Sequence, residues 1–151
     1  MKLLVDTSVW SLALRRRASA TLSAKESELV KILTEAITDG RVAMIGPIRQ
    51  ELLSGIKEQA QFQNLKTALE PFRDEVMETA DYEEAARSYN LCRSRGVECG
   101  PVDILICAVA QRRKWDVLTG DAVMKRCLEV IRSGCGPLRT ASGTPADGRL
   151  K

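Results

Sequence analysis

Near its start the chain reads Lys2-Leu3-Leu4-Val5-Asp6-Thr7-Ser8, a short apolar run that ends at an acidic residue. A second run, Val117-Leu118-Thr119-Gly120, ends at Asp121. Between them, strand-like apolar runs alternate with segments of helical periodicity, which is typical of βαβ construction. We therefore predict one α/β domain over residues 1–138, with a parallel sheet of about four to five strands flanked by helices.

Apolar spacing and turn residues place the individual elements along the chain. Strands are predicted at Lys2–Val5, Arg41–Ile45 and Asp116–Thr119, with a weaker candidate at Glu75–Glu78. Helices are predicted at Ser8–Arg17, Ser23–Asp39, Ile48–Leu53, Gln59–Leu69, Asp81–Arg95, Pro101–Arg113 and Ala122–Ser133. Capping-box spacing after Ser23 and after Asp81 marks two of the helix starts. Residues 139–151, rich in Gly, Ser, Pro and Thr, are predicted to form a disordered tail.

Composition narrows the class of protein. Hydrophobic residues make up 44% of the 151 residues and charged residues 28%, as in ordinary soluble domains. No apolar stretch approaches the roughly 18 residues that span a bilayer. Asp6 interrupts the N-terminal apolar segment, so a secretory signal is not expected. We predict a cytoplasmic protein without membrane association, and its five cysteines, which form no Cys-x-x-Cys pair, are predicted to be reduced.

Histidine is absent from the chain. This excludes His-based catalytic triads, His general bases and His-containing zinc sites. Proton transfer and metal binding must therefore fall to carboxylates. Such hard oxygen ligands favour Mg²⁺ or Mn²⁺.

Four acidic residues, Asp6, Glu51, Asp103 and Asp121, each follow a predicted strand or stand near a predicted helix start. In a parallel α/β sheet such positions converge on one edge, where ligands bind. Four carboxylates repel one another in a shared cleft unless cations hold them there. The set therefore predicts a divalent-metal site, although each acid alone could be a helix cap or a solvated residue.

The segment after Asp103 supports this interpretation. Residues 104–110 are apolar nearly all round, so their helix is expected to be buried on several sides, and an acid at its head needs a partner or a metal. Asp121 follows 18 residues later. That interval accommodates a helix, a turn and a strand, and a right-handed crossover returns the second acid to the same sheet edge.

Basic residues give weaker evidence for a nucleic-acid partner. The formal net charge is only +3. Two clusters contain Arg15, Arg16, Arg112 and Arg113, which we predict as candidate contacts to an RNA backbone. Solvated helix ends are the alternative explanation for both clusters.

Four blocks of this sequence resemble the signature blocks of PIN-domain proteins, in particular the VapC-type toxins of toxin–antitoxin systems. The blocks are Leu4-Val5-Asp6-Thr7-Ser8-Val9-Trp10, Arg49-Gln50-Glu51-Leu52-Leu53-Ser54-Gly55, Asp103-Ile104-Leu105-Ile106-Cys107-Ala108 and Leu118-Thr119-Gly120-Asp121. They stand in family order with family-like intervals and cover roughly residues 2–133. Many family members have an aromatic residue three positions after the last acid, where this chain has Met124.

The resemblance implies a Mg²⁺- or Mn²⁺-dependent endoribonuclease. Its catalytic and metal-holding acids would be the quartet of Asp6, Glu51, Asp103 and Asp121. Thr7 and Thr119 match the hydroxyl residues that support such acids. The resemblance also implies an RNA substrate, a cognate VapB-like antitoxin and a homodimer.

Two other functions remain open on the sequence alone. A phosphohydrolase could use Asp6 as a nucleophile, although position 8 holds Ser rather than the second Asp that haloacid-dehalogenase chemistry requires. A catalytically silent PIN-like module could bind RNA or protein without cleaving it. Nucleotide-binding glycine motifs are missing from the chain.

Overall fold

A computed structural model describes residues 1–14 and 21–134 of the chain. Its parallel sheet contains β1 (Leu3–Val5), β2 (Val42–Ala43) and β3 (Asp116–Leu118), in the order β2-β1-β3. Leu4 of β1 pairs with residues of both neighbours and is fully buried. The central strand is therefore covered on both faces, which explains why it is an uninterrupted apolar run.

Within the described residues, seven helices surround the sheet. They are α1 (Thr7–Leu14), α2 (Ala24–Thr38), α3 (Gly46–Leu53), α4 (Gln59–Leu69), α5 (Thr79–Ser94), α6 (Pro101–Arg113) and α7 (Ala122–Gly134). The predicted α/β class is confirmed. In this described part, no helix is long and apolar enough to span a bilayer.

Helix α6 is the buried centre of the helical layer. Residues 104–110 are all buried, and α6 packs against α5, α7, α3 and β3. Lys114, in the left-handed conformation, ends the helix and turns the chain into β3. The helix is consequently a fixed support for the residue in its first turn, Asp103.

Most predicted helix boundaries agree with the structure to within a few residues, but Arg17, the predicted end of the first helix, lies outside the described residues. The predicted capping box at the start of α2 forms. The Ser23 hydroxyl accepts a hydrogen bond from the Glu26 backbone N–H at 3.1 Å, and the Glu26 carboxylate accepts one from the Ser23 N–H at 3.1 Å. Gly40 follows this helix with φ of +67°. Glycine adopts this conformation without the steric penalty that a side chain would introduce.

The sheet has three strands in the described part of the chain, fewer than the four to five predicted. The predicted strand Glu75–Glu78 does not form. Instead a single parallel bridge joins Met44 to Asp74, and the Glu75 N–H donates to the Met44 carbonyl at 2.8 Å. Pairing stops there because the chain turns away: Val76 is 79% exposed, and Glu78 is already the N-cap of α5.

The predicted N-cap position of Asp81 is wrong, because the N-cap is Glu78 and Asp81 is the third residue of the helix in the capping box. Helix α5 begins at Thr79, so Asp81 lies inside its first turn, where its Oδ2 accepts a hydrogen bond from the Glu78 N–H at 2.8 Å. The Asp81 side chain is completely buried and forms ion pairs with Arg112 at 2.5 Å and Arg113 at 2.8 Å. The ion pairs with α6 hold this carboxylate in its buried position, and local sequence spacing does not reveal them.

The cysteines differ partly from the reduced state that was predicted. Cys99 and Cys127 form a disulfide that joins the segment before α6 to α7. Cys92 and Cys107 are free thiols in the buried core. Cys135 and the predicted tail at residues 139–151 lie outside the described residues.

Candidate active site

The carboxyl ends of β1 and β3 meet at one edge of the sheet. The two strands are parallel neighbours, and the Asp6 N–H donates to the Leu118 carbonyl at 2.9 Å just beyond their last pair. Asp121 follows Leu118 by three residues at the start of α7. The two aspartates that are most distant in sequence are thus brought to the same edge, as parallel topology requires.

A chain of hydrogen bonds fixes Asp6 in place. Its side chain is only 4% exposed, and its Oδ2 accepts from the Ser8 hydroxyl at 2.7 Å and from the Thr119 hydroxyl at 2.9 Å. The Thr119 oxygen in turn accepts from the Asp121 N–H at 3.0 Å. Thr119 therefore bridges two acids of the quartet, the supporting position that the resemblance implies for it.

Ser8 is a hydrogen-bond partner of Asp6 that was not predicted from the sequence. It lies two residues after Asp6, in the first turn of α1. Ser and Thr hydroxyls commonly bond to polar groups a few residues away, so the Asp-x-Ser spacing was an available signal. Thr7, which was predicted to support the site, has a buried hydroxyl that makes no hydrogen bond within the described residues.

Asp121 is exposed and also caps α7. Its Oδ1 accepts a hydrogen bond from the Met124 N–H at 2.9 Å. Met124 itself is fully buried, so this position three residues after Asp121 belongs to the apolar core. The capping bond would still allow Asp121 to bind a metal ion, because a carboxylate has two oxygens and several lone pairs.

Asp103 and Glu51 reach the site from two helices that pack against each other, α6 and α3. Asp103 lies in the first turn of α6, after the N-cap Gly100. The pKa of Asp103 is raised to about 6, first by burial and then by the negative charges of Asp6, Glu51 and Asp121. All three other acids of the quartet therefore act on this one carboxyl group.

Arg49 orients the helix that carries Glu51. Its guanidinium bonds to Asp74 at 2.9 Å, to the Leu69 carbonyl at 3.1 Å and to the Phe72 carbonyl. These contacts tie α3 to the segment that follows α4. The Glu51 side chain remains exposed.

The acids do not stand as a closed metal cage. Among residues 1–14 and 21–134, no group of three or more Asp, Glu, Cys or His side chains is arranged to hold a metal ion. The other acids can still repel the charge of Asp103 without being close enough to share a metal ion. Charges interact at distances well beyond the roughly 2.0–2.6 Å of a metal–oxygen bond. In chemistry the donors fit a hard divalent cation: they are carboxylates, and a cation would relieve the repulsion that raises the pKa of Asp103.

The structure places Arg112 and Arg113 away from the quartet. They end α6, about 15 Å along the helix from Asp103 at 1.5 Å per residue. Both guanidinium groups form ion pairs with the buried Asp81, whose negative charge offsets part of their positive charge. An RNA contact by either arginine stays a prediction. Arg15 and Arg16 lie outside the described residues.

Comparisons with known proteins agree with this geometry. The fold is similar to that of a chain in the crystal structure of FitAcB from Neisseria gonorrhoeae, with a TM-score of 0.64 and 20% identity. The likeness covers 84% of this chain and 93% of that one. No curated protein sequence matches. The family model of the PIN domain matches residues 3–127, which is most of the chain and includes all four acids. The chain therefore belongs to the PIN domain family.

Proposed function

We propose that this protein is a Mg²⁺- or Mn²⁺-dependent endoribonuclease, the toxin of a VapBC-type toxin–antitoxin system. PIN domains are generally nucleases and typically use divalent metal ions. The observation that carries the proposal is the hydrogen-bonded link of Asp6 and Asp121 through Thr119 at one sheet edge, where burial and the charges of the other three acids also raise the pKa of Asp103. Perturbed carboxylates of this kind mark functional sites.

The chain's own residues have distinct parts in the proposed reaction. Asp6, held by Ser8 and Thr119, and Asp103, fixed on the buried α6, would hold the cation with well-defined oxygens. When bound, a divalent cation lowers the pKa of water and offsets negative charge on a phosphate. Glu51 and Asp121 are exposed, so either can orient the attacking water and accept its proton. Attack by water leaves a 5′-phosphate and a 3′-hydroxyl.

The toxin assignment rests on the resemblance of the four blocks to VapC-type proteins. It implies a VapB-like antitoxin that covers the acidic cleft and places a basic residue among the carboxylates. It also implies a homodimer and action in the cytoplasm. Pairing of a basic antitoxin residue with the quartet is electrostatically reasonable, because a cation of either kind relieves the same repulsion.

Cleavage of a structured RNA pool by the purified protein tests the proposal. Reactions contain Mg²⁺, Mn²⁺ or EDTA, and mass spectrometry verifies that no antitoxin is present. We expect cutting that EDTA and Asp6→Asn abolish. Asp116→Asn is the matched control, because this exposed aspartate lies at the opposite end of β3 from Asp121. Cutting that persists in EDTA or in Asp6→Asn would refute the metal-dependent mechanism.

The same protein distinguishes the other two functions. A phosphohydrolase with Asp6 as nucleophile would release phosphate from monoesters and leave RNA chains intact. The Ser8 hydroxyl bonded to Asp6 weighs against it, because that position lacks the acid that would protonate the leaving group. A silent module would bind RNA or protein without binding Mn²⁺ through the quartet, and it would cut no RNA.

A further inference from the structure

A cavity of about 890 Å³ opens beside Asp121. It is bounded by α1, the first turns of α2 and the start of α7. Its volume lies in the range of roughly 300–1,000 Å³ that is typical of small-molecule sites. We propose that this cavity binds one nucleotide of a single-stranded RNA, next to the phosphodiester bond that is cleaved. This inference rests on the proposed ribonuclease function and names the part of the substrate that the site recognises.

The cavity is continuous with the acidic site. Asp121 lines it directly, and so does Ser8, whose hydroxyl holds the Asp6 carboxylate. A phosphate at the quartet would therefore have its neighbouring nucleotide at the mouth of the cavity. Single-stranded RNA suits such a place because its bases are free to turn out of a stack and enter a pocket.

One part of the cavity wall is apolar. Leu12 of α1 and Leu29 of α2 supply aliphatic surface for the face of a base. Gly120 permits the close approach of α2 to the loop before α7, because a Cβ at this position would lie 2.9 Å from the Leu29 Cδ1. The absence of a side chain at residue 120 thus helps to shape the cavity.

The wall carries three acids, Glu26, Glu28 and Asp121, and two lysines, so a phosphate is favoured only beside a lysine and with the proposed cation offsetting Asp121. Lys25 and Glu28 are three residues apart on α2, so they are neighbours and largely offset each other. Glu26 accepts a hydrogen bond from the Ser23 N–H. Lys125 lies one turn after Asp121, about 5–6 Å away on the same face of α7. It is therefore placed to bind the phosphate adjacent to the one held by the acids.

Binding of a short labelled RNA tests the proposal without requiring cleavage. The full-length protein is titrated into a fluorescein-labelled single-stranded hexanucleotide, with Ca²⁺ in place of Mg²⁺ to occupy the oxygen ligands. Three variants are compared: Lys125→Ala, Ser11→Phe, which fills the cavity from α1, and Lys31→Ala, an exposed control on α2 outside the cavity. Fluorescence anisotropy at several KCl concentrations gives the affinity and its salt dependence.

We expect Lys125→Ala to weaken binding about five- to tenfold and to reduce the slope of log K against log salt by about 0.7, the loss of one phosphate contact. Ser11→Phe should weaken binding at least about tenfold with an unchanged slope, because it displaces a base rather than a charge. Lys31→Ala should match wild type. Unchanged affinity and slope in Lys125→Ala would overturn the proposal, whatever Ser11→Phe does.

These outcomes separate this proposal from the proposed function. If the wild-type protein binds RNA through Lys125 but cuts nothing with Mg²⁺ or Mn²⁺, the nucleotide site stands and the nuclease function fails. If it cuts RNA while both cavity variants bind and cut normally, the nuclease function stands and the nucleotide site fails. Lys125 is exposed, so its substitution does not threaten the fold.

Discussion

Asp103→Asn is expected to make the metal-free protein more stable at neutral pH. The pKa of Asp103 is raised from 3.8 to about 6, first by burial and then by the charges of Asp6, Glu51 and Asp121. The folded protein therefore holds this proton more tightly than the unfolded chain does. As pH rises from about 4 to about 6, the unfolded chain ionises first, and the free energy of unfolding falls.

The size of the effect follows from the shift. A difference of about two pKa units corresponds to about 3 kcal/mol at most, at 1.36 kcal/mol per unit. Asp103 is partly exposed, so solvent screening reduces this value, and we expect about 1–3 kcal/mol. Asparagine keeps the shape of the side chain without its charge. Wild type and variant should thus be nearly equally stable at pH 4, and the variant more stable at pH 7.

Urea unfolding in EDTA between pH 4 and pH 8 measures this difference. Glu129→Gln, which removes an exposed acid on α7, controls for the general loss of one negative charge. Two parallel stability curves for wild type and Asp103→Asn, or a less stable variant at pH 7, would refute the reasoning. With saturating Mg²⁺, wild type should become more stable than Asp103→Asn. Metal binding stabilises the folded protein, and wild type retains the full set of carboxylates.

Three further perturbations have outcomes that the structure specifies. Thr119→Val removes the hydroxyl between two acids and should lower the free energy of unfolding by about 1–3 kcal/mol and impair cleavage, whereas Thr119→Ser should restore both. Asp81→Asn breaks the buried ion pairs with two arginines and should lower the free energy of unfolding in urea by about 3–5 kcal/mol. The control variant Glu83→Gln should leave it unchanged. Burial raises the pKa of Asp81, but the Glu78 N–H and the arginines outweigh it and lower the pKa, so this stabilisation should be lost as pH falls below about 4. Reduction of the Cys99–Cys127 disulfide should lower the free energy of unfolding by about 3–4 kcal/mol, as its 28-residue separation implies, measured with and without dithiothreitol.

Local sequence signals determine much of this fold. Helix α4 begins and ends at the predicted residues, and α2 ends within one residue of the predicted Asp39. The convergence of Asp6 and Asp121 could be predicted because parallel strands with right-handed crossovers allow only one arrangement of their carboxyl ends. These features depend on residues close in sequence, or on topology alone.

The features that escaped prediction depend on contacts between distant segments. Asp81 has the spacing of an N-cap, yet its partners are Arg112 and Arg113 on α6. The residues after Glu75 have strand-like composition, but the start of α5 draws the chain away from the sheet after one bridge. Contacts with distant segments decide the ion pairs of Asp81 and the end of strand pairing, whereas the bond from the Glu78 N–H to Asp81 is local.

The fold opposes the charge that its site requires. Residues 104–110 are buried on every side, which holds α6 rigidly against its neighbours and fixes Asp103 at its head. The same burial, together with three nearby carboxylates, penalises the ionised form of Asp103. A sequence selected for stability alone would place a neutral residue there, as the expected gain in Asp103→Asn illustrates. The proposed cation would account for an acid at this position, because its binding would turn the penalty into binding affinity.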